Sequence, residues 1–171
     1  MAIKKIGVIG AGQMGSGIAH VCALSGYNVG LYDISDKAIE QGLATINGNM
    51  ARQVKSGKIS EDDRKKALEL IKPFASLEQF GEVDLVIESA VEDEDLKRKL
   101  FSDLCPYLKP DALIGSNTSS ISITRLAAGT DRPERFMGIH FMNPVPVMEL
   151  VELIRGIATD EDVFQEVRTF V

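Results

Sequence analysis

The glycine-rich segment Gly10-Ala11-Gly12-Gln13-Met14-Gly15 constrains the fold more than any other feature of the sequence. An apolar, β-branched run at residues 3–9 precedes it and predicts a buried strand, while residues 14–25 have the apolar spacing of a helix. A strand that turns through glycines into a helix can present free N–H groups and the helix dipole to a phosphate. The spacing G-x-G-x-x-G in this context predicts a dinucleotide-binding βαβ unit.

Each part of this phosphate loop has an expected function. Gly10 permits the tight turn, Gly12 lets the backbone, with Gln13 and Met14, approach a pyrophosphate, and Gly15 lets the helix pack on the strand. Asp33 follows the second predicted strand at roughly the twenty-residue offset of an acid that binds the adenosine ribose. This carboxylate repels a 2′-phosphate and no arginine directly follows it, so the sequence predicts NAD rather than NADP.

Strands and helices alternate along the rest of the chain. We predict further strands at residues 27–32, 83–88, 112–115, 135–141 and 148–154, and helices at 36–56, 60–71, 93–108, 121–128 and from 160 onward. This order predicts an α/β fold of the Rossmann type, a doubly wound and mostly parallel sheet with helices on both faces. In such sheets ligands bind beyond the carboxyl ends of the strands, so chemistry is expected directly after each strand.

Composition limits the partners of the protein. The formal net charge of −6 argues against nucleic acid or an anionic membrane as a partner. No apolar run approaches the roughly 20 residues that span a bilayer, and the start lacks a signal-peptide layout, so we expect a cytoplasmic protein. Cys22 and Cys105 lie far apart without metal-like spacing, which predicts two buried free thiols and no metal site.

Two further stretches carry a family resemblance. One is Ser116-Asn117-Thr118-Ser119-Ser120, directly after a predicted strand, and the other is GIHFMNPVPVMELVE at residues 138–152. With the phosphate loop they resemble the 3-hydroxyacyl-CoA dehydrogenases over the whole chain. The resemblance implies NAD-dependent oxidation of an (S)-3-hydroxyacyl-CoA, with 3-hydroxybutyryl-CoA as the expected substrate, to the 3-oxoacyl-CoA.

The resemblance also has consequences for domain organisation. Residues 1–171 correspond to the NAD-binding domain of the family, whereas the family's helical second domain, which forms the homodimer and completes the active site, is not among them. We therefore expect this chain to bind NAD but to turn over substrate poorly on its own, because a closed cleft is needed to position the reactants.

By resemblance, His140 is the general base and Glu152 orients its imidazole. An imidazole suits this role because its ordinary pKa lies near neutrality. The spacing of the two strands conflicts with Glu152, because a simple hairpin centred on the Pro-rich loop sets Glu149 opposite His140. A bulge or a non-adjacent arrangement of the strands would be needed to bring Glu152 to His140. Ser119 resembles the serine that hydrogen-bonds the reacting oxygen of the substrate, while Ser120 is the better placed cap for the helix that follows.

The remaining contacts also follow from the resemblance. The cofactor contacts are Glu92, Lys97, Asn117, Ser119 and Asn143. A solvated helix start is the alternative interpretation of Glu92 and Lys97. CoA contacts are expected from Asn49, Arg52 and Lys55 on the long helix, although the family's serine and lysine are replaced here by Asn49 and Ser56. A basic stripe that is merely solvated fits these positions equally well.

Two other functions stay open at the level of sequence. One is a related NAD-dependent dehydrogenase that oxidises a sugar acid or another β-hydroxy acid. The other is a non-enzymatic NAD-binding protein built on the same fold. The presence of both His140 and Glu152 favours an enzyme, because a sensor needs no proton acceptor. His20, alone in the helix after the phosphate loop, is expected to be structural.

Overall fold

Strands alternate with helices in the computed structural model, which describes residues 2–171. The strands are β1 (Lys5–Ile9), β2 (Asn28–Tyr32), β3 (Ile71–Pro73), β4 (Leu85–Glu88), β5 (Leu113–Ser116), β6 (Phe136–Phe141) and β7 (Val151–Arg155). The helices are α1 (Gln13–Leu24), α2 (Asp36–Lys55), α3 (Glu61–Leu70), α4 (Glu94–Leu104), α5 (Ile123–Ala128) and α6 (Glu161–Phe170). No helix in the described part of the chain is long and apolar enough to span a membrane.

The strands of residues 2–171 form one sheet in the order β3-β2-β1-β4-β5-β6-β7. Strands β1 to β6 pair in parallel, whereas β7 runs antiparallel to β6. The chain winds outward from β1 in one direction and from β4 in the other, so the strand order reverses between these two strands. Ligands of doubly wound sheets bind at this switch point. The predicted Rossmann-type fold is confirmed.

The central strands β1, β4 and β5 are almost completely buried, because helices cover the sheet on both faces. On one face, α1, α2, α3 and α6 pack against the sheet through residues such as Ile18, Met50 and Val167. On the other face, α4 and α5 do so through residues such as Phe101 and Leu126. Both predicted thiols are free and buried, and burial raises the pKa of Cys22 to about 12.

Strand β3 is not predicted by the sequence. The helix predicted over 60–71 ends at Leu70, and Ile71 turns to an extended conformation and pairs with β2 at the sheet edge. Pro73, which lacks an N–H group, is tolerated there because an edge strand has one unpaired side. The helical interpretation of Ile71 is therefore wrong.

Two boundaries near the predicted site also differ. Helix α5 begins after Ser122, whose hydroxyl accepts from the Arg125 N–H at 3.2 Å, so Ser122 and not Ser120 is the cap. Strand β7 begins at Val151, three residues later than predicted, because the chain turns at Pro144, whose carbonyl accepts from the N–H groups of Val147 and Met148.

Candidate active site

The carboxyl ends of β1, β4, β5 and β6 enclose a cleft of about 470 Å³. Most of the predicted site residues line it, namely Gly12, Gln13, Met14, Glu92, Lys97, Asn117, Ser119, His140 and Asn143. A second hollow of about 420 Å³ adjoins this cleft through Gly12 and residues 89–91, and contains Gly10 and Asp33. The fold thus joins an acidic end, at Asp33, to an end that carries the imidazole of His140.

The three glycines of the phosphate loop have different surroundings. Gly10 has a φ of +101°, and a Cβ there would lie 2.3 Å from the Ser89 carbonyl oxygen. A Cβ on Gly15 would lie 1.7 Å from the Gly10 carbonyl oxygen, whereas a Cβ on Gly12 would meet nothing within 4 Å. Gly10 and Gly15 are therefore needed for the turn itself, and Gly12 leaves open space in front of α1.

The start of α1 is prepared for an anion. Within residues 2–171 no side chain caps this helix, and its first turn carries no acidic residue. The positive end of the helix dipole and the first N–H groups face the open space beside Gly12, which is where a pyrophosphate fits.

Asp33 is held firmly at the end of β2. Its Oδ2 accepts from the Ala11 N–H and its Oδ1 from the Ser35 N–H, both at 2.9 Å. Each carboxylate oxygen can accept a second hydrogen bond, so the group can still bind the two hydroxyls of a ribose. The loop, the helix start and this acid together fit a dinucleotide with an unphosphorylated 2′-hydroxyl.

His140 and Glu152 face each other across β6 and β7. The two residues are direct partners in the antiparallel register, and the His140 Nδ1 lies 3.2 Å from the Glu152 Oε2. Glu149 lies exposed in the loop before β7. The hairpin register that favoured Glu149 is wrong, because residues 148–150 stay unpaired and shift the pairing without a bulge. With Nδ1 facing Glu152, Nε2 is the nitrogen that can meet a ligand.

Glu92 connects Ser119 to the cleft wall. Its Oε2 accepts from the Ser119 N–H at 3.0 Å and the Ser119 hydroxyl at 3.1 Å, and its Oε1 accepts from the Thr118 hydroxyl at 2.7 Å. Burial alone would raise the pKa of Glu92, but these hydrogen bonds and the nearby Lys97 outweigh it and lower the pKa. The carboxylate form therefore orders the segment that carries Ser119.

Lys97 is not part of a solvated helix start, and this alternative is wrong for it. Its side chain is 2% exposed and its Nζ lies 2.5 Å from the Oε2 of Glu88, which is completely buried. Sequence reasoning missed Glu88, because an acid that ends an apolar strand resembles the polar end of that strand. The available signal was its position, since carboxyl ends of parallel strands carry the ligand groups of this fold.

The two asparagines have different surroundings. The Oδ1 of Asn117 accepts from the Phe141 N–H at 2.8 Å and so joins the ends of β5 and β6. Asn143 is exposed at the rim of the cleft, and its peptide bond to Pro144 is cis.

The residues expected at CoA lie apart from the cleft. Arg52 and Lys55 are exposed on α2 and do not line it, and the Arg52 guanidinium donates to the Asn49 Oδ1. In the described part of the chain neither cation pairs with a carboxylate. Their contact with CoA stays a prediction. His20 also lies outside the cleft, buried with its Nε2 2.8 Å from the Gln53 Oε1.

Comparison with known proteins agrees with this geometry. The family model for the 3-hydroxyacyl-CoA dehydrogenase NAD-binding domain matches residues 5–171. The chain belongs to this family, and the predicted cofactor, NAD, is confirmed by that membership.

Three individual proteins show how similar this chain is to members of the family. A 3-hydroxybutyryl-CoA dehydrogenase of Bradyrhizobium diazoefficiens is 62% identical over 169 residues, which are 99% of this chain and 58% of that protein. A probable 3-hydroxybutyryl-CoA dehydrogenase of Bacillus subtilis is 46% identical over 95% of this chain and 56% of its own length. The crystal structure of (S)-3-hydroxybutyryl-CoA dehydrogenase from Ralstonia eutropha superposes with a TM-score of 0.96 at 46% identity, covering 99% of this chain and 60% of that one. The chain thus spans little more than half the length of these relatives.

Proposed function

We propose that this chain is the cofactor-binding part of an enzyme that oxidises (S)-3-hydroxybutyryl-CoA to acetoacetyl-CoA with NAD. The observation that carries the proposal is the 3.2 Å pair of His140 and Glu152 at the edge of a cleft that also contains Ser119. The names of the similar proteins from Bradyrhizobium diazoefficiens and Ralstonia eutropha support the choice of substrate.

In this proposal His140 accepts the proton of the substrate's 3-hydroxyl group through its Nε2. Glu152 fixes the ring by holding Nδ1 and stabilises the imidazolium that forms. As the O–H bond breaks, the carbon–oxygen double bond forms and the hydrogen on C3 leaves as hydride. NAD, when bound, is the acceptor of that hydride.

Ser119 orients the reacting oxygen. The Ser119 hydroxyl donates to the Glu92 Oε2 at 3.1 Å, and by rotating toward the cleft it can instead donate to the substrate oxygen, whose own proton goes to His140. The hydrogen bond from the Ser119 N–H to Glu92 holds the backbone of the serine, so the serine is positioned before the substrate arrives.

Assembly and location belong to the same proposal. A second domain that closes the cleft and forms a homodimer is supported by the length of the relatives and by exposed apolar side chains on and beside β7, among them Leu150, Ile154 and Ile157. Arg52 and Lys55 would then bind the phosphates of CoA. A cytoplasmic location is supported by the two free cysteine thiols, which persist in a reducing compartment.

The test replaces His140 by Gln in the full-length protein and measures NAD reduction with (S)-3-hydroxybutyryl-CoA. We expect kcat to fall by about 10³-fold while NADH affinity is kept, because only the proton acceptor is lost. Glu152→Gln should lower kcat by about 10²-fold through misorientation of the ring, and Glu149→Gln, its matched control, should leave kcat unchanged. Full activity of His140→Gln would contradict the proposal, and turnover of a sugar acid in place of the thioester would identify a different substrate class.

A further inference from the structure

A buried ion pair lies directly beneath the cofactor cleft. Lys97 lines the cleft, but Glu88, its partner at 2.5 Å, does not and is 0% exposed. Glu88 therefore cannot touch a bound cofactor, and any part it takes in binding must pass through its neighbours.

Both carboxylate oxygens of Glu88 are held by donors from three elements. Its Oε1 accepts from the Ser116 hydroxyl at 2.6 Å, where β4 and β5 end side by side. Its Oε2 accepts from the Ala90 N–H at 2.7 Å and from Lys97 on α4. Because these donors come from the end of β5, the loop after β4 and α4, they fix the orientation of the carboxylate.

Fold stability does not require such a pair. Removing two charges from water costs several kcal/mol for each ion, and apolar replacements of buried pairs are often as stable. Asp84, at the opposite end of β4, provides a comparison. Its side chain is 11% exposed, and its partner, Lys109, is 29% exposed, so this second pair stays in contact with water. The dry pair is the one beside the cleft.

Lys97 links Glu88 to the residues that meet the ligand. Its Nζ also donates to the Ala90 carbonyl oxygen at 3.1 Å and lies 3.7 Å from the Glu92 Oε1. Glu92 in turn holds Ser119 and Thr118. Without the charge of Glu88, the Lys97 ammonium would be drawn to Glu92, its nearest other carboxylate, and would pull it from these hydroxyls.

We propose that Glu88 is a positioning residue for cofactor binding, which acts by holding Lys97 in the direct ion pair, so that Lys97 stays 3.7 Å from Glu92 and both residues face the nicotinamide end of the cleft. The inference rests on the proposed function, because the nicotinamide end is the one that carries His140. It concerns this end alone, since Asp33 and the phosphate loop bind the adenosine diphosphate half at the other end.

The experiment titrates the chain with NADH and, separately, with ADP, which lacks the nicotinamide riboside. We expect Glu88→Gln to weaken NADH binding about 10-fold and to change ADP binding by no more than about 2-fold. Asp84→Asn, the matched control directly before the same strand, should lower the melting temperature and leave both affinities unchanged. Equal weakening of NADH and ADP by Glu88→Gln would show a merely structural role and overturn the inference.

A double-mutant cycle tests the route through Lys97. If Glu88 acts through this lysine, Glu88→Gln adds no further loss of NADH affinity once Lys97→Met is present. An additional 10-fold loss in the Lys97→Met background would overturn the inference. If Glu88→Gln does not fold, Ser116→Ala is a milder variant, because it removes only the hydroxyl bond to Glu88. We expect Ser116→Ala to weaken NADH binding about 3-fold and to leave ADP binding unchanged. Unchanged NADH binding would overturn the inference.

The unmodified chain separates this inference from the proposed function. Failure of the folded chain to bind NADH would overturn both. NADH binding by the unmodified chain that survives undiminished in Glu88→Gln would overturn only the positioning role.

Discussion

At the scale of single residues, the two histidines show how surroundings decide chemistry. His140 lies at the end of β6 with a carboxylate against Nδ1 and the cleft in front of it, which suits a group that gains and loses a proton. His20 is 0% exposed, is bonded to the neutral side chain of Gln53, and has a buried Nδ1 without a hydrogen-bond partner among the described residues. The carboxylate of Glu152 can stabilise a charged ring at His140, whereas burial favours the neutral form of His20.

This difference predicts that His20 makes the free energy of unfolding fall when the pH is lowered. Burial lowers the pKa of His20 below 6.5, and the hydrogen bond that its Nε2 makes to the Gln53 Oε1 only partly opposes this shift. Below pH 6.5 the unfolded chain therefore binds a proton at His20 more readily than the folded chain does. The contribution of neutral His20 to the free energy of unfolding is complete above pH 6.5 and is lost as the pH falls below that value. The expected slope from one such group is at most about 1.4 kcal/mol per pH unit.

The measurement compares melting temperatures of the chain and of His20→Gln across this pH range. Glutamine can still bond to Gln53 but does not titrate, so the variant should lose less stability toward acid than the unmodified chain. Identical pH profiles for the two proteins would show that His20 is not responsible.

At the scale of elements, the turn from β1 into α1 separates the requirements of folding from those of binding. A Cβ at Gly15 would overlap the Gly10 carbonyl oxygen at 1.7 Å, so Gly15→Ala must open the turn. A Cβ at Gly12 meets no protein atom within 4 Å and would occupy the space where the pyrophosphate fits. The same added methyl group is thus expected to disturb the turn at Gly15 and to block the ligand at Gly12.

We therefore predict that Gly15→Ala lowers the free energy of unfolding by about 1–3 kcal/mol, as overpacking does. Gly12→Ala should keep the melting temperature and weaken NADH binding about 10-fold or more, because the methyl group displaces the phosphates. Calorimetric melting and NADH titration of both variants check this pair. A Gly12→Ala protein that binds NADH normally would mean that the pyrophosphate does not approach α1.

The helices and strands also show which parts of the fold and site could be predicted from the sequence. Local patterns were sufficient for β1, α1 and the phosphate loop, because strand, glycines and helix are contiguous. Strand β3 was missed because Ile71 continues the apolar pattern of α3, and only pairing with β2 makes it a strand. The partner of His140 depends on how β6 pairs with β7 across a nine-residue loop, and the buried state of Glu88 depends on contacts with β5 and α4. These non-local contacts are absent from any local pattern.

At the scale of the whole molecule, the two ends of the sheet have separate tasks. At the carboxyl ends of the strands, charged groups such as Glu92 and Lys97 line the cleft. At the amino ends, charged groups bind the backbone and do not line the cleft. Asp84 accepts from the N–H groups of Lys4 and Lys5, and burial, which would raise its pKa, is outweighed by these bonds and by Lys109, so the pKa is lowered. Changes at this end should alter stability without altering binding.

Arg132 permits the sharpest test of this division. It is 6% exposed, and its Nη1 donates to the carbonyl oxygens of Lys109 at 2.7 Å and Ala112 at 3.3 Å, which ties the start of β5 to the turn before β6. Arg132→Met fills similar volume but leaves both carbonyls without this donor. The Lys109 carbonyl still accepts from the Ala112 N–H at 3.1 Å, but the ion pair of Arg132 with Asp131 is lost. We expect the free energy of unfolding to fall by about 1–2 kcal/mol, in line with the cost of lost buried hydrogen bonds. NADH affinity should be unchanged, because none of these atoms borders the cleft. Denaturant unfolding and NADH titration of the same sample measure both quantities, and a folded Arg132→Met protein with weakened NADH binding would show that the two ends are coupled through the sheet.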